Sequence, residues 1–116
     1  MTFRHLVDVP LTDIERSALV EARDMLIRDF PVDKVVLFGS KARGDSDAES
    51  DVDLLVLTRV PPTRQLKHRM VAALYEILLR TDVMLSPLVA SSQDWEKGLL
   101  RLLPIHTEVE DQGVAL

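Results

Sequence analysis

Residues 34–57 read KVVLFGSKARGDSDAESDVDLLVL, and this stretch decides the fold. It contains two apolar runs rich in β-branched residues, Lys34–Phe38 and Val52–Leu57, which predict two buried strands. The polar segment between them holds two glycines and a cluster of acids, so we expect a loop with one helical turn at residues 41–43. Because this loop is too short for a crossover helix, the two strands are expected to be antiparallel.

Helical patterns surround these strands, with apolar residues three or four positions apart. The predicted helices are residues 12–30, begun by a capping box of Thr12 and Glu15; residues 63 to about 80, begun by Thr63; a helix from Ser91 or Ser92 that ends before Pro104; and a short C-terminal helix with Gly113 at its C-cap.

A third strand is predicted over residues 83–89, where Pro87 indicates a sheet edge or a bulge. The helix between the second and third strands makes those two strands parallel. The sequence therefore predicts an α/β (α+β) fold with a small mixed sheet of three to four strands flanked by helices. The 116 residues form one domain, 1–116, that buries roughly 65% of its unfolded surface.

The acidic residues are concentrated in one place. The chain has 19 acids and 14 bases, a net charge of −5, and five of those acids lie between positions 45 and 53: Asp45, Asp47, Glu49, Asp51 and Asp53. The rest of the chain is neutral. This distribution argues against direct nucleic-acid binding, which favours a basic stripe.

The sequence also contains no apolar run of about 20 residues, so we expect no membrane span. Asp8 interrupts the N-terminal segment where a signal peptide would be apolar. The chain has no cysteine, which excludes a thiol nucleophile and a Cys zinc site. We therefore expect a cytoplasmic protein.

The predicted topology brings Gly39, Asp51, Asp53 and Asp82 to one edge of the sheet. Asp51 and Asp53 are two positions apart on a strand, so their side chains share a face with Cα atoms about 7 Å apart. Carboxylates about 5 Å apart repel by about 3 kcal/mol at an effective dielectric of about 20, and a cation would relieve this. Oxygen ligands favour Mg²⁺ or Mn²⁺.

A phosphate-binding turn is predicted beside these carboxylates. Gly39 has no Cβ, so an anionic ligand could approach the backbone amides of the following turn. Ser40 adds a hydroxyl donor, and Lys41 and Arg43 are the nearest bases. Lys41 and Arg43 fit either phosphate contacts or ordinary surface charge equally well.

The string Gly39-Ser40, ten residues, then Asp51-Val52-Asp53 resembles the signature of the minimal nucleotidyltransferases of the DNA polymerase beta superfamily. The resemblance implies transfer of a nucleoside monophosphate from an NTP to a hydroxyl, with two divalent cations held by three carboxylates. It assigns the nucleotide's phosphates to Gly39 and Ser40 and the metals to Asp51 and Asp53. Asp82 would be the third carboxylate, or would instead cap the preceding helix.

Prokaryotic proteins of this length often resemble the antitoxin partner of a HEPN-type toxin. The resemblance therefore implies an Mg²⁺-dependent enzyme that transfers AMP from ATP to a hydroxyl of such a toxin, in a homo- or hetero-oligomer. One alternative is a non-enzymatic module that neutralises its partner by covering it. Another is transfer to a small molecule, as in aminoglycoside-modifying relatives.

Overall fold

A five-stranded mixed sheet, in the order β1-β5-β2-β3-β4, organises the computed structural model, which describes residues 3–45 and 51–116. The elements in chain order are β1 (Arg4–His5), a 3₁₀ turn (Leu6–Asp8), α1 (Asp13–Asp29), β2 (Val32–Phe38), α2 (Ser40–Arg43), β3 (Val52–Thr58), α3 (Arg64–Thr81), β4 (Leu85–Ser91), α4 (Ser92–Lys97), a second 3₁₀ turn (Leu99–Leu102), α5 (Pro104–Gln112) and β5 (Val114–Ala115).

The three long strands run in the predicted directions. β2 and β3 are antiparallel, with Phe38 opposite Asp53. β3 and β4 are parallel, with Asp53 beside Ser86. The end of β2 and the starts of β3 and β4 therefore meet at one edge of the sheet, which we call the carboxylate edge.

The sheet has two more strands than the three long ones. β5 pairs antiparallel with β2 through Val114 and Ala115, and β1 pairs parallel with β5. Each of these strands is two residues long, too short for an alternating pattern to be visible in the sequence. The mixed α/β architecture is confirmed, with β1 and β5 added at one side.

Side-chain caps begin the main helices as predicted. The Thr12 hydroxyl accepts a hydrogen bond from the Glu15 amide (3.1 Å), and the Glu15 carboxylate accepts one from the Thr12 amide (2.9 Å). Thr63 accepts a bond from the Leu66 amide at 3.1 Å. These bonds satisfy amides that the first helical turn leaves without backbone partners.

The chain after α3 departs from the prediction by a few residues. The third long strand begins at Leu85 rather than Val83, because α3 continues to Thr81 and closes at Asp82 in a left-handed conformation (φ 61°). Pro87 lies in β4, which is the edge strand, as predicted. An edge strand tolerates proline because it need not donate hydrogen bonds on its outer side.

The helix after β4 is shorter than predicted. Ser91 caps α4 by accepting from the Asp94 amide at 3.0 Å. α4 ends at Lys97, and Gly98 adopts an extended backbone before the 3₁₀ turn. Leu99 and Leu102 in this turn are largely exposed, whereas Leu100 packs against the core. In the part of the chain that the structure describes, no helix is long and apolar enough to span a bilayer.

Both faces of the sheet are covered. On one face the strands pack against α1 and α3. The buried residues at the centre of that face are Leu19, Leu26, Leu37, Val52, Leu54, Val56, Met70 and Leu74. The other face contacts α4 and α5 through Val36, Leu55, Trp95 and Val109. Because side chains alternate along β3, Asp53 shares the second face with Leu55, beside α5.

Candidate functional site

Gly39 packs directly against the carboxylate of Asp53. Its backbone has φ 78° and ψ −157°, a conformation that favours glycine. A Cβ at this position would overlap Oδ2 of Asp53. Gly39 is therefore required both by its backbone conformation and by lack of space, and it holds the turn into α2 next to the acid.

Asp51 and Asp53 place two negative charges at the carboxylate edge. Asp53 is half-buried and Asp51 is exposed. Burial raises the pKa of Asp53, and the negative charges of Asp51 and Glu108 raise it further, while Arg43 opposes them. The ionised carboxylate of Asp53 is therefore in an unfavourable environment that a cation would relieve.

Ser86 completes this edge and was not predicted. It lies beside Asp53 in the parallel register, and its hydroxyl donates to Oδ2 of Asp51 at 3.4 Å. The sequence contains no signal for this placement, since serine is common in strands and loops. Only the register of β3 against β4 selects it.

Asp82 lies at the C-cap of α3, three residues before β4 begins. Its amide donates to the Leu78 carbonyl at 2.8 Å. Asp82 therefore lies where the second sequence-based interpretation places it, at the end of the helix. The metal-binding role implied by the resemblance is not tested by these contacts and stays a prediction.

Arg43 connects the turn after Gly39 to α5. Its Nη1 donates to Oε1 of Glu108 (3.2 Å) and to Oε1 of Gln112 (3.4 Å). Its Nε donates to Asp45 at 3.1 Å. Glu108 is thus a third acid at the site, beside Asp51 and Asp53. Sequence reasoning missed it, because nothing in the C-terminal helix indicates which face meets the turn. Asp47 and Glu49 lie outside the described residues.

Lys41 is buried and faces α1. Its Nζ lies 2.5 Å from Oε2 of Glu15, and the two side chains are only 5% and 13% exposed. The other oxygen of Glu15 closes the capping box with Thr12. One carboxylate therefore joins the start of α1 to α2, the element that follows Gly39. The predicted phosphate contact of Lys41 stays a prediction.

Burial opposes ionisation of Glu15, but its bonded partners outweigh this effect. Hydrogen bonds from Lys41 and from the Thr12 backbone, with the positive charge of Lys41, lower the pKa of Glu15 below its ordinary 4.5. The Glu15 carboxylate is therefore ionised at neutral pH beside the buried Lys41, where removing one of the two partners is costly.

The donor set at the carboxylate edge fits a divalent cation that binds together with a phosphate ligand. Among residues 3–45 and 51–116, no three His, Asp or Glu side chains converge into a group able to hold a metal ion. Asp51 and Asp53 supply two carboxylates on one face. Mg²⁺ in proteins is commonly held by one or two carboxylates together with substrate phosphates.

Comparison with known sequences identifies the chain's relatives. The nucleotidyltransferase domain family matches residues 19–111. MJ0141 of Methanocaldococcus jannaschii, named as a candidate protein adenylyltransferase, is 43% identical over 58 residues, 50% of this chain and 59% of its own length. MJ1305 of the same organism, named likewise, is 36% identical over 62 residues, 52% of this chain and 42% of its own length. These matches thus span under two thirds of either relative.

Solved structures confirm the predicted fold. One, described as a candidate minimal nucleotidyltransferase, superposes with a TM-score of 0.64 and 27% identity, covering 90% of this chain and 97% of its own. Another, a crystal structure of a toxin-antitoxin with AMP-PNP, has a TM-score of 0.54 and 18% identity over 90% of this chain and 72% of its own. At that identity the second structure supports the fold alone.

The Lys41–Glu15 pair predicts a specific acid sensitivity. Glu15→Gln keeps a side chain able to cap α1 but removes the carboxylate that pairs with the buried ammonium of Lys41, so we expect a loss of about 2–4 kcal/mol in the free energy of unfolding at pH 7, measured by urea denaturation. The pKa of Glu15 is lower in the folded protein than its ordinary 4.5. The pair's contribution to the free energy of unfolding is therefore complete above about pH 4.5 and is lost as the pH falls through the folded-state pKa. The variant should therefore lose less stability on acidification than the wild type.

Glu21→Gln is the matched control, because Glu21 forms an exposed ion pair with Arg80. Breaking that pair should cost less than about 1 kcal/mol at pH 7. Two results would contradict a structural role for the buried pair. One is an equal loss in the free energy of unfolding in Glu15→Gln and Glu21→Gln. The other is a free energy of unfolding that changes in parallel for Glu15→Gln and the wild type between neutral and acidic pH.

Crowded negative charge predicts that Asp53→Asn stabilises the metal-free protein. In EDTA at pH 7 we expect the melting temperature to rise by roughly 2–5 °C. The pKa of Asp53 is higher in the folded protein than its ordinary 3.8. The ionised carboxylate therefore destabilises the fold at pH values above the folded-state pKa, and this destabilisation disappears as the pH falls towards 3.8. Added Mg²⁺ should reduce the difference in melting temperature between the variant and the wild type, because it stabilises the wild type.

Asp24→Asn removes an exposed charge on α1 and controls for the change in net charge. An equal rise in the melting temperature of Asp24→Asn would refute the explanation by crowded charge at Asp53.

Proposed function

This chain belongs to the nucleotidyltransferase domain family, and we propose that it transfers AMP from ATP to a hydroxyl of a partner protein. The observation that carries the proposal is the contact between the Gly39 backbone and Asp53. This contact places the Gly39-Ser40 turn, to which we assign the phosphates, directly beside a pair of carboxylates suited to a divalent cation.

Asp51 and Asp53 are the residues we assign to the metal, which we propose is Mg²⁺, with Mn²⁺ as a substitute and two ions per site. When bound, the metal neutralises phosphate charge and stabilises the attacking and leaving oxygens of the displacement. Ser86 donates to Asp51 and so holds one of the two carboxylates in place.

The turn after β2 is the proposed phosphate-binding element. We assign the phosphates to the backbone amides of the turn that follows Gly39 and to the Ser40 hydroxyl, which is a donor to them. Arg43, tethered by Glu108 and Asp45, brings a guanidinium that can hydrogen-bond phosphate oxygens. The acceptor hydroxyl gives its proton to Asp82, the third carboxylate that the resemblance implies, and its oxygen bonds to the α-phosphorus. The bond from that phosphorus to the oxygen that bridges it to the β-phosphate breaks, and pyrophosphate leaves.

The acceptor is proposed to be a protein because of the relatives. Both M. jannaschii proteins carry names of protein adenylyltransferases, and one structural neighbour comes from a toxin-antitoxin complex. We propose a HEPN-type toxin as the partner and the cytoplasm as the location, where ATP is available. In this proposal the chain acts as the antitoxin.

The direct test is transfer of label from α-³²P-ATP. The purified chain is incubated with Mg²⁺, the labelled ATP and the product of the neighbouring gene, which the proposal expects to be a HEPN-type toxin. We expect label on that protein, reduced roughly 100-fold or more by Asp51→Asn or Asp53→Asn and by EDTA, because charge neutralisation at the phosphates is lost. Asp24→Asn should label at the wild-type rate. Label that persists in both site variants would overturn the proposal.

Coexpression separates transfer from simple covering of the partner. If the chain neutralises a toxin by modifying it, the Asp51→Asn/Asp53→Asn double variant should bind the toxin but no longer protect cells. Full protection by the double variant would favour occlusion. Label found on small hydroxyl compounds, and not on protein, would favour the small-molecule alternative.

Asp82 can be tested without disturbing the helix end. Asparagine tolerates the left-handed conformation that Asp82 adopts, so Asp82→Asn should melt within about 2 °C of wild type. We expect Asp82→Asn to reduce labelling by about 100-fold, as Asp53→Asn does, because Asp82 is the third carboxylate that the resemblance implies. Labelling within about threefold of wild type would instead leave Asp82 as the residue that ends α3, with Ser86 in the register position beside Asp53.

A further inference from the structure

Helix α3 carries apolar side chains on two faces. Met70, Leu74 and Ile77 are buried against the sheet. On another face, Val71, Tyr75 and Leu79 are spaced four residues apart and are 48%, 55% and 68% exposed. Three large apolar side chains in line on a helix surface are more than the scattered exposure normal for a soluble domain.

The same face is basic toward its N-terminal end. Arg64 and His68, also four residues apart, lie on the helical line that leads to Tyr75, with Lys67 beside them, and all three are exposed. α3 contains four Lys or Arg residues and one acid, Glu76, in a chain of net charge −5. Of the other two bases, Arg80 pairs with Glu21 and Arg69 lies over the Phe30 ring.

The apolar end of this face leads to the carboxylate edge. α3 ends at Thr81, and the chain then turns at Asp82 toward β4. Met84, in this connection, is 48% exposed, and its carbonyl accepts a hydrogen bond from the Val52 amide at 2.8 Å. Val52 follows Asp51 directly, so a partner lying along α3 would have one end at the carboxylate edge of the sheet.

We propose that this α3 face, defined by residues 64, 67, 68, 71, 75 and 79, binds an amphipathic helix of a partner protein. The partner helix has leucine-type side chains opposite Tyr75 and Leu79 and carboxylates opposite Arg64 and Lys67. Helices recognise one another through such rows of side chains four residues apart. The inference rests on the proposed function only in that this partner would be the acceptor protein.

Charge decides between this partner and a second copy of the chain. Two copies packed through α3 would each bring Arg64 and Lys67 to the interface, and Glu76 is the acid of α3 that could pair with them. Like charges at an interface without counter-charges disfavour association. An acidic partner helix satisfies the basic half and covers the apolar half.

The test uses two designed helical peptides of about 18 residues that present the same leucines at four-residue spacing. One has Glu and the other Lys at the flanking positions, and neither contains Ser, Thr or Tyr, so neither can accept a nucleotide. Binding to the full chain is measured by fluorescence anisotropy and mapped by amide chemical shifts. We expect the Glu peptide to bind along residues 64–79, at least about tenfold more tightly than the Lys peptide, with affinity falling as salt rises.

Two variants examine the two halves of the face. The double variant Tyr75→Ala/Leu79→Ala should lower the affinity for the Glu peptide by about tenfold or more. The double variant Arg64→Glu/Lys67→Glu should bind the Lys peptide more tightly than the Glu peptide. All four side chains are exposed, so melting temperatures should stay near wild type. The control Leu99→Ala/Leu102→Ala alters the exposed leucines of the second 3₁₀ turn and should bind as wild type.

Several results would overturn the proposal. One is equal affinity for the Glu and Lys peptides, and another is a set of amide chemical-shift changes that maps to residues 97–103. A third is displacement of the Glu peptide by duplex DNA that carries the same charge. The fourth is concentration-dependent dimerisation of the chain that substitutions in α3 abolish. Because the peptides carry no acceptor hydroxyl, binding is read independently of transfer. A chain that binds the Glu peptide but labels no protein would refute the proposed activity and leave the docking face standing.

Discussion

The contact between the Gly39 backbone and the Asp53 carboxylate is the constraint on which the site depends. It requires β2 to end where β3 begins, which the antiparallel register of Phe38 with Asp53 provides. It also requires a residue without a Cβ at the turn. The same close approach leaves Asp53 half-buried beside Asp51, which raises its pKa. Fold and charge crowding therefore have a common origin, and a cation with its phosphate ligand would relieve the crowding.

Elements far apart in the chain hold that turn in place. Glu15, at the start of α1, uses one carboxylate oxygen for its helix cap and the other for Lys41. From the opposite side, α5 reaches Arg43 through Glu108, and the Arg4 guanidinium donates to the carbonyls of Ala42 and Gln112. The short helix α2 is thus tied to both ends of the chain. A four-residue helix has little stability of its own, so these contacts position the turn to which we assign the phosphates.

The exposed face of α3 is the surface to which we assign binding of the partner protein. The domain family supplies a site for a nucleotide, whereas the acceptor must be presented by another molecule in our proposal. α3 ends at the carboxylate edge, and its exposed residues change from basic to apolar toward that edge. A partner held there would be oriented by charge at one end and by apolar contact at the other.

Local periodicity, and spacing within one hairpin, are enough to predict the long strands, the capped helices, the mixed sheet and the pairing of Gly39-Ser40 with Asp51 and Asp53. The other contacts of the site depend on how distant segments of the chain pack together. The register of β4 selects Ser86 rather than Asp82 as the neighbour of Asp53, and packing assigns Lys41 to Glu15 and Glu108 to Arg43. Such contacts join residues far apart in sequence, and an isolated Ser, Lys or Glu has no local pattern that specifies its partner.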